Sequence, residues 1–262
     1  MGPAWRPGVF HRIDDAIRVM DDIIDWSRAE AHRIGFFTCL YRATTINVKN
    51  GIISGRFQNG PRMEVFDVHF ARYFFDALHV WRAGGRPSAS WARAFRACED
   101  EDLFILQHLL LGMNAHINLD LAATVADLSS LEEKAELHAD YLVINRILAE
   151  MVDTVQDVLN DFNPGLRAID WVGLHFDEAV AGFSIRRARD SAWGAAMELA
   201  ALPEATRSEG VRRLDDETAR FADVILLADD LAGPFGALRR LEPDYRSEAG
   251  IVGVIDRLRT IA

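Results

Sequence analysis

Gln107-His108-Leu109-Leu110-Leu111-Gly112-Met113-Asn114-Ala115-His116-Ile117-Asn118-Leu119-Asp120-Leu121-Ala122 is the stretch on which the fold turns. It is apolar on all sides at helical spacing, so its helix belongs in the middle of a bundle rather than on a surface. At about 100° per residue, His108, Gly112, His116 and Asp120 drift slowly along one face. Gln107, Asn114 and Asn118 occupy the opposite face. Polar groups buried there need partners, since each one left unsatisfied costs about 1–3 kcal/mol. Two polar stripes on an apolar helix mark either helix-to-helix fastening or an internal site. Gly112, one turn before His116, lets another helix or a ligand approach closely.

His116 and Asp120 are one turn apart, and that spacing serves three uses. Both can ligate one metal ion, as imidazole and carboxylate. They can act as a general-base pair, Asp120 fixing the imidazole tautomer and raising its basicity. They can also simply tie neighbouring helices together through a buried hydrogen bond. A cavity of a few hundred Å3 beside His116 would favour a ligand site, and a packed interior a scaffold.

Working outward, the chain reads as helix after helix. Asp14 to Ala31 carries Ile17, Met20, Ile24 and Ala31 at three- and four-residue spacings. Gly35 with Phe36 and Phe37 divides it from a second segment ending near Asn50. Residues 50–61 read as a loop, and a long helix is expected from Met63 to Arg82, closed by Gly84 and Gly85. Ser88 caps a short helix holding Trp91 and Phe95. The apolar helix runs from about Asp102 to Asp127. Ser130 with Glu133 makes a capping box for the next, which carries Leu137, Tyr141, Ile144, Leu148, Met151, Val155 and Leu159 and breaks at Asn163-Pro164-Gly165. Further helices are expected at Asp177–Leu202, Glu204–Leu231 and Glu248–Ile261. Strand patterns, repeats and linkers are lacking, so residues 9–262 read as one all-α domain, a bundle of roughly eight to ten helices, after a tail over 1–8.

Composition agrees with a core of that kind. Half of the 262 residues are hydrophobic and 15 are Phe, enough to offset the ordering entropy. Asp plus Glu outnumber Lys plus Arg by 40 to 29, a net charge of -11 that disfavours nucleic acid. No glycine-rich phosphate loop appears, so no nucleotide cofactor is expected. The apolar runs read as too short for a membrane span, and Met1 to Gly8 shows no apolar leader core. Cys39 and Cys98 fit neither a disulfide framework nor a zinc site of cysteines. The expectation is a cytoplasmic protein with a small-molecule ligand, no nucleic-acid or membrane partner, and room for homo-oligomers.

The ten residues from Gly112 to Leu121 resemble the signature of a helical, mostly bacterial family of unknown function. Matching stretches are Phe70–Leu78, Asp140–Asn145 and Ala188–Trp193, and the resemblance covers roughly residues 12–230. It implies the helical fold and the location of a site, and names no reaction. A more distant likeness is to zinc-dependent phospholipase C, which repeats His-x-x-x-Asp on buried helices around three zinc ions. Here only the His116–Asp120 pair is present, and the N-terminal Trp ligand is missing. That likeness leaves a single divalent ion, such as zinc, held by His116 and Asp120 with His108, His69 or His138.

Other polar residues join the candidates. Asp21-Asp22-Ile23-Ile24-Asp25 matches a magnesium-binding aspartate motif, though a solvated acidic face explains it better. Asp67, His69, Tyr73, Asp76 and His79 dot the helix that begins near Met63, and the pairs Tyr73–Asp76 and Asp76–His79 face either the interior of His116 or solvent. Asp140 and Asn145 flank an apolar stripe. Arg189 lies one turn from Trp193, so its guanidinium can stack on the indole, bind a substrate carboxylate or phosphate, or pair with an acid. The expected function is an enzyme acting on a small organic molecule, catalytic at His116 and Asp120. Asn114, Asn118, Tyr73, Asp76, Asn145, Arg189 and Trp193 would contact substrate. The alternative is a non-catalytic binding or scaffold protein with a self-satisfied polar network.

Overall fold

The computed structural model describes residues 11–128, 134–162, 185–227 and 245–261. Among them are nine helices and no strand. They are α1 (Ile13–Ala29), α2 (Ile34–Ile53), α3 (Gly60–Arg82), α4 (Ala89–Ala97) and α5 (Ile105–Leu128). After these come α6 (Lys134–Asn160), α7 (Ile185–Ala201), α8 (Glu204–Leu227) and α9 (Glu248–Leu258). The fold is the expected all-α one. The Ser130–Glu133 capping box, the Asn163-Pro164-Gly165 break, residues 177–184 and 228–231 of two expected helices, and the tail over 1–8 lie outside the described residues.

Helix α5 is the axis of the arrangement and touches α2, α3, α4, α7 and α8. Its mean hydropathy of 1.2 and its 24 residues would suffice to cross a membrane, longer than the sequence reading allowed, yet 89% of its most apolar window is buried inside the protein. A helix surrounded by other helices has no polar face to present, which gives the same composition as a span. It starts at Ile105 rather than Asp102, because the Gln107 side chain accepts the Phe104 N–H at 3.1 Å and fixes the first turn there. Between Ala115 and Leu121 the backbone leaves α geometry for a π turn, each hydrogen bond reaching one residue further.

Other boundaries differ from the periodicity as well, and α2 runs on to Ile53, into the stretch expected as loop. Gly35, Phe36 and Phe37 begin α2 rather than separating it from α1. A Cβ on Gly35 would lie 2.8 Å from Ser27 and 2.9 Å from Ile255, so the glycine is where α2 passes close to α1 and α9. Helix α3 starts three residues early because Asn59 accepts the Arg62 N–H at 3.0 Å and Pro61 suits a first turn. The fully buried Asp140 carboxylate secures the turn before it, taking the N–H groups of Gln58 and Asn59 at 2.6 and 3.0 Å and an Arg62 N–H at 3.0 Å. Ser88 caps α4 as expected.

The two polar stripes of α5 part company. Gln107 donates to the Ile225 carbonyl at 3.0 Å and Asn114 to that of Thr218 at 2.9 Å, while Asn118 donates to Asn114. That stripe fastens α5 to the backbone of α8. The other stripe faces α2, α3 and α4, where Phe37 fills the space left by Gly112, 2.5 Å from where a Cβ would stand.

Candidate active site

His116 and Asp120 are both buried, at 3% and 1% exposure, and meet through Nδ1 and Oδ2 at 3.0 Å. The Trp91 indole N–H, from α4, reaches the same Oδ2 at 2.9 Å. An indole nitrogen can only donate, so Oδ2 acts as an acceptor. Taking the Nδ1 proton on that oxygen as well leaves the imidazole lone pair on Nε2, which has no hydrogen-bond partner. Burial holds the imidazole pKa well below its ordinary range, so the ring is neutral at pH 7. Burial also pushes the Asp120 carboxyl upward, opposed by the Trp91 N–H.

Aromatic rings fix the imidazole in place. Phe70 stacks on it with centroids 3.7 Å apart and planes 12° from parallel, and Tyr41 meets it edge-on at 4.3 Å. Phe37 and Trp91 close the cage at 5.7 and 6.2 Å. Asn114 and His116, two residues apart and so about 200° round the helix, face α8 and the aromatic cage respectively, and the π turn begins between them.

His116 lines an apolar cavity of about 100 Å3, with walls that include Phe37, Val48, Phe66, Met113, Ile144 and Met151. The volume is below the few hundred Å3 of a typical ligand pocket, so any occupant is small. The wall also carries Asp67, noted on its helix in the sequence without an assigned role, and Tyr41 and Thr44, which the sequence did not single out. The Tyr41 hydroxyl and Asp67 Oδ2 are buried without partners, and burial lifts the Asp67 carboxyl to about 7. The signal for Asp67 was a carboxylate between Phe66 and Val68 with Phe70 and Phe74 on the following turns. Nothing in the sequence distinguished Tyr41 from other core aromatics.

Arg189 also lines the cavity and is 3% exposed. Its guanidinium lies 4.1 Å over the Tyr141 ring, not over Trp193, which packs instead on His138 and Tyr141 at 4.5 and 4.9 Å. Its Nε donates to Asn145 Oδ1 and its Nη2 to the Tyr141 carbonyl at 3.1 Å. A ring brought by another helix outcompetes the neighbour one turn away because Arg189 is buried against α6.

The remaining candidates stand apart. Asn114 and Asn118 belong to the fastening stripe, and Asn118 borders a separate cleft of about 320 Å3 with Arg187, Ser191 and Glu217. Tyr73 donates to Asp127 at 2.7 Å, with His69 at 3.6 Å from the same carboxylate, and Asp76 is exposed. Asp21 and Asp25 accept from Arg259, and Asp21 from Arg42 at 2.7 Å, which pairs the acidic run with bases. His108 packs edge-on against Phe36 at 5.9 Å and does not line the cavity. Among the described residues no three His, Cys, Asp or Glu side chains are placed to hold a metal ion. With Nδ1 engaged by Asp120, the described residues bring no third ligand to Nε2 and so do not assemble the zinc centre that the phospholipase likeness implied.

No curated protein and no solved structure matches the chain. Residues 13–228 match the sequence pattern of a described family, a span that includes α1 to α8 and every residue of the cavity. The chain therefore belongs to the family of unknown function DUF5995.

Proposed function

We propose that this protein is an enzyme that moves a proton on a small organic molecule inside the bundle, with His116 Nε2 as the general base. The observation that carries the reading is the chain Trp91–Asp120–His116, which ends in an unpartnered ring nitrogen at an internal cavity. On taking a proton, the imidazolium would be stabilised by the Asp120 carboxylate at 3.0 Å and by the stacked face of Phe70. Asp67 is the natural proton donor on the same cavity, its carboxyl kept partly neutral at pH 7 by burial. Such a pair suits isomerisation, dehydration or hydrolysis, in which one atom loses a proton and another gains one. A cytoplasmic setting suits the two free, buried cysteines.

The metal-assisted version has less support, because no third ligand accompanies the pair among the described residues. The scaffold reading draws on the fastening stripe, in which Gln107, Asn114 and Asn118 all find protein partners. It gives no reason for the unpartnered groups of the cavity.

Long-range proton–nitrogen NMR on 15N-labelled protein tests the proposal, with His116→Gln to assign the ring. The expected spectrum has the proton on Nδ1 and a bare Nε2 at pH 7. A panel of small esters, hydroxy acids and carbonyl compounds should contain a substrate whose turnover His116→Gln abolishes. A ring protonated on Nε2, or turnover indifferent to His116→Gln, would overturn it.

A further inference from the structure

Arg189, a buried wall of the apolar cavity, carries a positive charge that no anion matches among the described residues. Its contacts are a side-chain amide, a carbonyl and an aromatic face, all uncharged. Among the described residues no carboxylate forms an ion pair with it. Asp190, the acid that acts on it among the described residues, is exposed on the following residue and acts through space. Burial pulls the guanidinium pKa below its ordinary value, the expected mark of a desolvated cation. Buried charges are ordinarily paired, because an isolated one costs far more than its hydrogen bonds return. Among the described residues Nε and Nη2 donate hydrogen bonds and Nη1 donates none.

We propose that the cavity binds a small monocarboxylate with a short apolar body, its carboxylate paired with Arg189. This deepens the proposal above by naming its ligand class and rests on the same cavity. The apolar body follows from the walls, where Val48, Phe66, Met113, Ile144, Leu148 and Met151 offer no polar side-chain atom but thioether sulfur. Its size follows from the volume. An apolar cavity of about 150 Å3 admits benzene, so 100 Å3 admits a body of about four or five carbons. Asp67 does not oppose the anion at its binding point. It is held on α3, whereas Arg189 is anchored to α6, and neither is among the charges that act on the other. The carboxylate at Arg189 and the apolar chain running toward His116 would leave the ligand's carbon skeleton beside the base.

Calorimetric titration of the full chain with straight-chain acids of about three to eight carbons, and with the matching amides and alcohols, tests the assignment. Pentanoate should bind at least about tenfold more tightly than pentanamide. Arg189→Met should remove that preference, and Arg189→Lys should keep part of it. Should Arg189→Met fail to fold, the wild-type comparison of acid with amide and the Arg189→Lys titration decide. Equal binding of acid and amide, no binding of any acid, or unchanged acid affinity in Arg189→Met would overturn the proposal. The two readings fail separately. Acid binding without any His116-dependent turnover sinks the base and spares the anion site, whereas His116-dependent turnover of neutral compounds alone does the reverse.

Discussion

The indole of Trp91 and the imidazole of His116 meet on one atom: Asp120 Oδ2 lies 2.9 Å from the first ring nitrogen and 3.0 Å from the second. The Asp120 side chain therefore fixes the ring and is itself fixed. Asp120→Asn keeps an oxygen that can accept both N–H groups, so the fold and the tautomer should persist, while the charge that stabilises an imidazolium is gone. His116-dependent turnover should fall by about 10²- to 10⁴-fold with little change in melting temperature. Asp120→Ala orphans two buried donors and should cost about 2–5 kcal/mol by urea denaturation.

Asp67 should make stability fall with rising pH. Its carboxyl holds a proton up to about 7 when folded, against an ordinary value of 3.8. Between those values the folded state binds more protons than the unfolded chain, so stability declines as pH rises through the window and levels off above it. Below about pH 4 the penalty vanishes, since both states are protonated. Asp67→Asn should therefore gain stability over wild type, by about 2–3 kcal/mol more at pH 8 than at pH 5. Denaturation midpoints of the two proteins at both values check this. A gain equal at both would show that Asp67 titrates normally.

Gly112 and Gly194 should respond in opposite directions to alanine. Both lie in helices, where alanine gains about 1 kcal/mol over glycine. At Gly112 the new Cβ would meet Phe37 at 2.5 Å, and Phe37 is one wall of the imidazole cage. Gly112→Ala should destabilise by about 1–3 kcal/mol and disturb the His116 resonances. At Gly194 nothing lies within 4 Å, so Gly194→Ala should raise the melting temperature slightly.

Asp140 should rank among the costliest single losses in the molecule. Its carboxylate, itself fully buried, takes two backbone N–H groups and a guanidinium at the entry to α3. Asp140→Ala leaves the three donors unmatched and should cost about 3–5 kcal/mol by denaturant titration. Arg257→Ala, which breaks the exposed pair with Asp161, should cost less than about 1 kcal/mol.

The residues that a reader of the sequence finds are those whose role is local. The apolar length of α5, the Ser88 cap and the His116–Asp120 pair all follow from spacing along one helix. The groups that spacing misses are supplied by other helices. Trp91 stands 29 residues before the carboxylate it serves, and Tyr141 lies 48 residues from the guanidinium it carries. Asp67 and Tyr41 gain their meaning from the cavity, which no single helix contains. The π turn leaves no mark either, since the residues from Ala115 to Leu121 suit an α-helix as well. Conversely, the pairing of Arg189 with Trp193 was the local answer, and it lost to a ring on α6.

Helix α5 carries two phases. Its N-terminal part is set by the carbonyls of Ile225 and Thr218, and its C-terminal part by the aromatic rings around His116. The π turn inserts its extra residue after both of these settings have begun and before Ala122–Leu128, the part of α5 that packs on α7. Removing a single residue from Ala115–Leu121 would restore one uniform phase along the whole helix, turning everything beyond the cut by about 100°. The chain would then have to give up either the settings of Asn114 and His116 or the packing of Ala122–Leu128 on α7. A shortened variant that folds and melts like its parent, but no longer keeps His116 beside Phe70, would separate the architecture of this bundle from its chemistry.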